Sequence, residues 1–422
     1  MATWILFVIA VLQSLFGPMD LEVYPNLIRV GVDKVVGIKL AVAAMASLAG
    51  LWGFWRFGSV RRTAMTVPAV MIMVLLALTA IGGSSRITPA AIPTSIINAL
   101  NVIFVITILT VSGLRVFSMA IIVGAMATAL YGLYLFYLQP ARGVFTEPIE
   151  HGQFVLRIGG LAHPNSIARS IALAILLTLY LYRTKEIHWS LFTLLMIPLG
   201  WNFLLAKSRT AIVAGTFAGI LLYSDRLRSR VAIGAAVLGV ILGLFGLFGL
   251  FALGKEGRLV DKFVGLVSKT GESEELTSGT GRDVIWSEAA KYIAQRPLTG
   301  WGLNSGPVLL EHNSQSTHNA IMNATLSGGI VAGLIMVGLQ LWLLITSFQS
   351  RNLLVRGVSM FLFTSMLTED TVLETFPGPC TMLWYMCLLY PVLRYSPIRT
   401  VLRSRPEPIE RQLIPAPTEV GG

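Results

Sequence analysis

The sequence predicts an all-α, polytopic membrane protein of about 12 transmembrane helices, with a helical loop on one face. Three observations predict it. Of the 422 residues, 55% are hydrophobic and 13% charged, where a soluble domain carries about 25% charged residues. Mean hydropathy is +0.73. Apolar runs long enough for a bilayer core, about 20 residues each, recur along most of the chain.

Taken in order, the runs fall at about 2–17, 35–54, 65–83, 91–113, 116–139, 165–182, 188–205, 210–223, 231–253, 321–348, 354–374 and 378–394. The first lacks a basic leader and a small-residue cleavage site, so it reads as a retained span and not a signal peptide. The first and the eighth are short, which leaves a tilted or re-entrant segment open. Residues 1–395 form a single transmembrane domain in this reading, with the loop 254–320 included. The tail 396–422, rich in Pro and Arg, reads as cytoplasmic and disordered.

The formal net charge is +11. No basic face with interleaved aromatics accompanies it, which excludes nucleic-acid binding. The charge is distributed as a topology signal. With the N-terminus cytoplasmic, sixteen Lys and Arg fall on the inner loops and tail, and seven on the short outer loops. The segments 140–164, 206–209, 254–320 and 370–377 then share the outer face. Cys380 and Cys387, seven apart on one helix face, read as core.

Chemistry is expected where those outer segments meet water. The segment 254–320 carries Arg282, Arg296, His312, His318 and the acidic cluster Glu272, Glu274 and Glu275. In FLLAKSRTAIVAG (203–215), Lys207 and Arg209 sit in a break between two apolar runs. A cation at that depth is functional, paired, or snorkelling to the interface. Ser208, Arg209 and Thr210 at a helix start offer hydroxyls, N–H groups and a guanidinium together, which suits an anion.

SGTGRDVIWSEAAKYIAQRPLTGWG (278–302) reads as a glycine-flanked turn and an amphipathic helix closed by Pro297, with Asp283 complementing the dipole of its first turn. Arg282 is either a ligand or a solvated loop charge. Trp301 is either a stacking platform for a sugar or an interface anchor. His318 is either a general base or a capping residue at the head of the next run, and Thr317 or Asn319 is placed to cap that helix. His163, in GLAHPNSIARS (160–170), is a weaker candidate. Arg169 follows as an anion ligand or as a partner of Glu369, Asp370 or Glu374. No zinc spacing, Walker loop, dinucleotide fingerprint or nucleophile elbow is present.

The ordered set SRT, SGTGRDVIW, RPLTGWGLNS and THNAIMNATLSGGIVAGL, with HPNSIA (163–168) upstream, resembles the O-antigen ligase and Wzy polymerase superfamily over about 160–340. The resemblance implies a bacterial inner-membrane glycosyltransferase with a periplasmic site. Its donor would be a glycan on undecaprenyl pyrophosphate. The acceptor would be lipid A-core for a ligase, or another lipid-linked repeat unit for a polymerase. It also implies that Arg209 and Arg282 grip the pyrophosphate and that His318 serves the acceptor hydroxyl. Lys207, Arg169, His163, Asn319, Trp301 and Arg296 are the further substrate-binding candidates. No nucleotide, redox cofactor or metal is expected, since Glu311 alone is no ligand set near His318. Polymerisation of exopolysaccharide or O-antigen is preferred over ligation, on the modest outer loop and the lack of an obvious site for bulky lipid A. A polysaccharide or lipid transporter is the more distant reading.

Overall fold

The computed structural model describes residues 1–18, 28–83, 88, 90–148, 154–223, 282–310, 316–370 and 372–393. The expected span 231–253, the cluster Glu272, Glu274 and Glu275, His312 and the tail 396–422 lie outside them. The described chain is mostly helical. Its helices are α1 (Ala2–Phe16), α2 (Ile28–Arg56), α3 (Gly58–Ala64), α4 (Val67–Gly82), α5 (Ala91–Val111), α6 (Gly113–Leu138), α7 (Pro140–Gly143), α8 (Pro164–Arg183), α9 (Trp189–Ala206), α10 (Arg209–Leu222), α11 (Arg282–Gln295), α12 (Gly306–Leu309), α13 (Ala320–Gln349), α14 (Leu353–Met366) and α15 (Pro379–Leu393).

The count of twelve crossings is not carried by these helices. Six are long and apolar enough to cross a bilayer, and a seventh is reached if α3 and α4, bent by 66° at their junction, form one span. Four expected spans are shorter apolar helices: α1, α10, α14 and α15. Leu194, Ile197 and Leu204 of α9 point outward with about two-thirds of their surface exposed (68%, 67% and 65%). Such a face needs a lipid to cover it. The protein is a multi-pass membrane protein.

An all-α chain was expected, and a hairpin interrupts it. Strands β1 (Val144–Pro148) and β2 (Phe154–Ile158) pair antiparallel. Val155 and Ile158 face inward while Phe154 and Leu156 stay exposed, the period-2 alternation of a half-buried strand. In sequence the short alternation sits between Glu150-His151-Gly152-Gln153 and a glycine pair, where hydropathy alone reads only a loop.

The helix α13 is broken. Gly329 holds φ 80° and ψ −178°, so the carbonyls before it lose their helical partners. The RPLTGWG segment supplies others. Trp301 N–H donates to Leu326 O (2.9 Å), Gly302 N–H to Ser327 O (2.8 Å), and Ile330 N–H to Pro297 O (2.7 Å). A Cβ at Gly329 would meet the Leu298 carbonyl carbon at 2.5 Å. Only glycine permits both that φ and that approach. Irregular backbone within a membrane protein persists where protein groups satisfy it in this way.

Candidate functional site

The four segments that the charge count assigns to one face are joined by side-chain hydrogen bonds. Arg157, on β2, is fully buried and uses every nitrogen. Its Nε donates to Ala206 O (2.8 Å), its Nη1 to Glu147 Oε2 (2.7 Å), and its Nη2 to Asn165 Oδ1 (2.6 Å). Asn165 Nδ2 donates onward to Glu369 Oε1 (3.1 Å). The hairpin, the α9–α10 break and the loop after α14 are thereby tied together. A buried guanidinium survives only when paired and saturated in this way.

Glu369 is the hub. The expected span 354–374 ends early, because α14 stops at Met366 and the polar Thr368-Glu369-Asp370 run forms a loop before α15. The Glu369 carboxylate is buried. Its Oε2 meets Arg169 Nη1 at 3.0 Å and His318 Nδ1 at 3.2 Å, and its Oε1 meets Arg282 Nη2 at 3.6 Å. Two guanidiniums and an imidazole from three elements thus converge on one carboxylate. Burial pushes the carboxyl up, but the His318 hydrogen bond and the neighbouring cations outweigh it, and the group is held down at about 2. The same pairing acts on His318. Burial disfavours its charged form, yet the hydrogen bond and charge of Glu369 raise its pKa above the ordinary 6.5.

His318 itself is held in an unusual backbone. Its φ is +50°, and its N–H donates to Ser316 Oγ at 3.0 Å. Few non-glycine residues adopt the left-handed region, histidine among the more frequent of them. Trp286, on α11, donates its indole N–H to Thr317 O at 2.9 Å. The amphipathic helix therefore fixes the peptide next to the histidine, while Arg282 at its start reaches Glu369. Ile285 and Ala289 bury the apolar face of α11 against Trp301 and Leu326.

Arg209 starts α10 immediately after the break. Lys207 ends α9 in the left-handed region (φ 46°) and is exposed, and Ser208 is buried as the N-cap. The charge of Arg209 lowers the pKa of both Arg157 and Arg282, in each case adding to the larger effect of burial. Like charges press on one another here, and a helix N-terminus faces the same place. An anion relieves both.

Of the nine residues singled out from sequence, Arg169, Arg282 and His318 meet on Glu369, and Arg209 stands close enough to act on Arg282. The others serve differently. Arg169 is taken up by Glu369 and by Ser166 Oγ (3.1 Å), so it braces the hub. His163 caps α8, its Nδ1 accepting from Asn165 N–H at 3.2 Å; burial and the Arg157 charge press its pKa down to about 4. Asn319 caps α13: its Oδ1 accepts from Ile321 and Met322 N–H, and its Nδ2 donates to Leu367 O (3.0 Å). Trp301 is neither an exposed platform nor an interface anchor. It is buried, donates to Tyr292 O (2.8 Å), and carries the Arg296 guanidinium 4.2 Å above its ring. Arg296 is thereby placed in cation–π packing.

Glu369, Asn165 and Arg157 were not among the sequence candidates, except for Glu369 as one partner open to Arg169. The signal for Glu369 was present: an acidic pair closing an apolar run. Arg157 and Asn165 gave no signal. Among the described residues, no group of three or more His, Cys, Asp and Glu side chains is placed to hold a metal ion.

Residues 191–337 match a protein-family model described as O-Antigen ligase (Wzy_C). Comparison with curated proteins and with solved structures gives no match.

Proposed function

We propose, from the match of residues 191–337 to the O-antigen ligase family model, that this chain belongs to the O-antigen ligase and Wzy superfamily and transfers an undecaprenyl-pyrophosphate-linked glycan to an acceptor sugar hydroxyl at the periplasmic face of a bacterial inner membrane. The coarse activity, glycosyl transfer of the ligase or polymerase type, follows from the family. The finer reading rests on one observation: a buried carboxylate gathers Arg282, Arg169 and His318 at one corner of a helical bundle, beside Arg209. The twelve-span topology and the single transmembrane domain over 1–395 belong to the same reading and rest on hydropathy.

The chemistry runs as one displacement. Arg209 and Arg282 hold the diphosphate, the bidentate guanidinium geometry matching its oxygens. Glu369 accepts from His318 Nδ1–H, which orients the ring and leaves Nε2 to take the acceptor proton. The acceptor oxygen bonds to the anomeric carbon as the bond from that carbon to the diphosphate oxygen breaks. The electron pair leaves on the diphosphate, where the guanidiniums stabilise it. An in-line attack inverts the anomeric centre. Nucleotide, redox cofactor and metal have no step to perform in it.

We favour polymerisation of repeat units of an exopolysaccharide or O-antigen. Reconstitution of the pure chain with lipid-linked oligosaccharide tests this: longer lipid-linked chains support it, and their absence overturns it. A deletion strain that still makes long polysaccharide but fails to attach it to lipid A-core would assign ligation instead.

A further inference from the structure

A cavity of about 700 Å³ opens beside the hub. Its wall includes His318, Glu369 and its partner Arg169, together with Lys39 of α2, Asn304, and Asp370 and Glu374 of the loop after α14. Arg209 and Arg282 do not line it. Arg282 instead approaches Glu369 Oε1, while His318 holds Oε2. The carboxylate and the imidazole therefore stand at the boundary between the guanidiniums and this chamber. A volume of that order suits a small organic ligand, about two or three sugar rings.

The lining has a definite chemistry. Glu374 Oε2 is occupied by Gly378 N–H (3.0 Å) and Thr381 Oγ1 (2.9 Å), and its carboxyl gives the chamber an oxygen acceptor. Asp370 gives a second. Burial raises the pKa of Asp370, and its ionised form repels an anion. Lys39 sits 5.4 Å over the Phe376 ring and brings an ammonium to the wall, besides the Arg169 guanidinium that Glu369 takes up. Asn304 adds an amide, and it shares with His318 a left-handed backbone (φ 65° and 50°). Carboxyl and amide oxygens beside amide and ammonium donors match the alternating donors and acceptors of sugar hydroxyls. Of the three carboxyl groups in the wall, Glu369 is taken up by Arg169 and His318; Asp370 and Glu374 disfavour phosphate or sulfate when ionised.

We propose that this chamber is the acceptor subsite, and that it takes the hydroxyl-bearing end of an uncharged glycan. The proposal rests on the glycosyl-transfer reading and adds to it the place and the charge class of the acceptor. His318 then serves both compartments, with the donor diphosphate on the arginine side and the acceptor hydroxyl on the chamber side.

The test uses the full chain in proteoliposomes. The donor is lipid-linked oligosaccharide from the strain that makes this chain. The acceptor is the same glycan freed from its lipid, offered unmodified or sulfated on its terminal sugar. Lys39→Gln and Asp370→Asn should each raise KM for the acceptor about tenfold, the loss of one polar contact, while KM for the donor stays within about twofold. The unmodified acceptor should be used and the sulfated one refused. The unmoved donor KM also reports that each variant is folded; should Asp370→Asn fail to insert, the half-buried Lys39→Gln and the sulfated acceptor still decide. Transfer with unchanged acceptor KM in both variants, or equal use of the sulfated acceptor, overturns the chamber alone. No transfer by the unaltered chain overturns the glycosyl-transfer reading and the chamber with it.

Discussion

Two regions at the same end of the bundle solve the same problem by different means. Around Gly329, backbone polar groups exposed by a broken helix are satisfied by other backbone groups, Trp301 and Gly302 donating to Leu326 and Ser327. Around Glu369, charge is satisfied by charged and titratable groups, two guanidiniums and an imidazole sharing one carboxylate. The first region is held by backbone hydrogen bonds, and glycine makes it possible. The second is charged, and Arg282 and His318 each keep about a quarter of their side-chain surface exposed. Saturated backbone has nothing left to offer a substrate, whereas a crowded cation cluster gains by receiving an anion. In the proposed function RPLTGWG and SGG scaffold, while SRT, Arg282 and His318 bind and react.

The largest expected effect lies at the charged region. His318→Ala should slow transfer by a factor of about 10² to 10⁴ while the protein still inserts, read as the turnover of lipid-linked oligosaccharide in proteoliposomes. An unaltered rate would remove His318 from the base role and leave the two regions alike.

Next comes Arg282→Lys. A point charge does not reproduce a guanidinium fork, so turnover should fall by about 10²-fold or more. Far-ultraviolet circular dichroism and melting should change little, since Arg282 is half-buried. Equal activity in the lysine variant would count against diphosphate recognition.

The pH profile separates the regions further. A base must be neutral to accept a proton, and Glu369 raises the pKa of His318 above 6.5. Activity should therefore rise with pH through a value above 6.5. In Glu369→Gln the charge is lost, a neutral amide acceptor replaces the carboxylate, and burial remains, so the inflection should move to lower pH. Arg282 and Asp370 also face this histidine; Arg282 acts against the raised value and Asp370 with it. An unmoved inflection in the Gln variant would show that Glu369 does not control the ring. The pairing also contributes stability that is present below pH 6.5 and is lost as pH rises through the folded pKa of His318.

The neutral region should respond in stability instead. Gly329→Ala places a Cβ against Leu298 and forces a left-handed φ, costing about 1–3 kcal/mol, measured as a lower melting temperature in detergent. Turnover per folded molecule should stay near that of the unaltered chain. Smallest of all, Trp286→Phe removes one hydrogen bond to Thr317 O, worth about 1 kcal/mol. Its effect should reach turnover only through the neighbouring His318. A tenfold loss there would mean that α11 positions the base more tightly than one bond explains.

The legible part of the site was local. SRT at a run boundary, Arg282 at a helix start and His318 at a helix head each announce themselves by a charge beside apolar sequence. Trp301 misled, because a tryptophan between glycines reads alike whether it meets lipid, sugar or a protein core. Asn319 was ambiguous between cap and ligand, and hydrogen bonds to Ile321, Met322 and Leu367 use both ends of its amide. The hairpin 144–158 escaped notice because five-residue strands give a weak period-2 signal beside 20-residue spans.

Sequence by itself determined the helical, membrane-spanning class, and it put forward four polar segments on one face and Arg209, Arg282 and His318 as candidates. These follow from hydropathy, charge bias and short-range pattern, which are properties of neighbouring residues. Tertiary structure alone decided that Glu369 would collect Arg169, Arg282 and His318, that Arg157 and Asn165 would brace it from 204 residues or more away along the chain (Asn165 to Glu369), and that a chamber would lie beside His318. A carboxylate has no value in isolation along an apolar run. Its role appears only when folding removes it from water and leaves the cations of distant segments as the partners that can hold its charge.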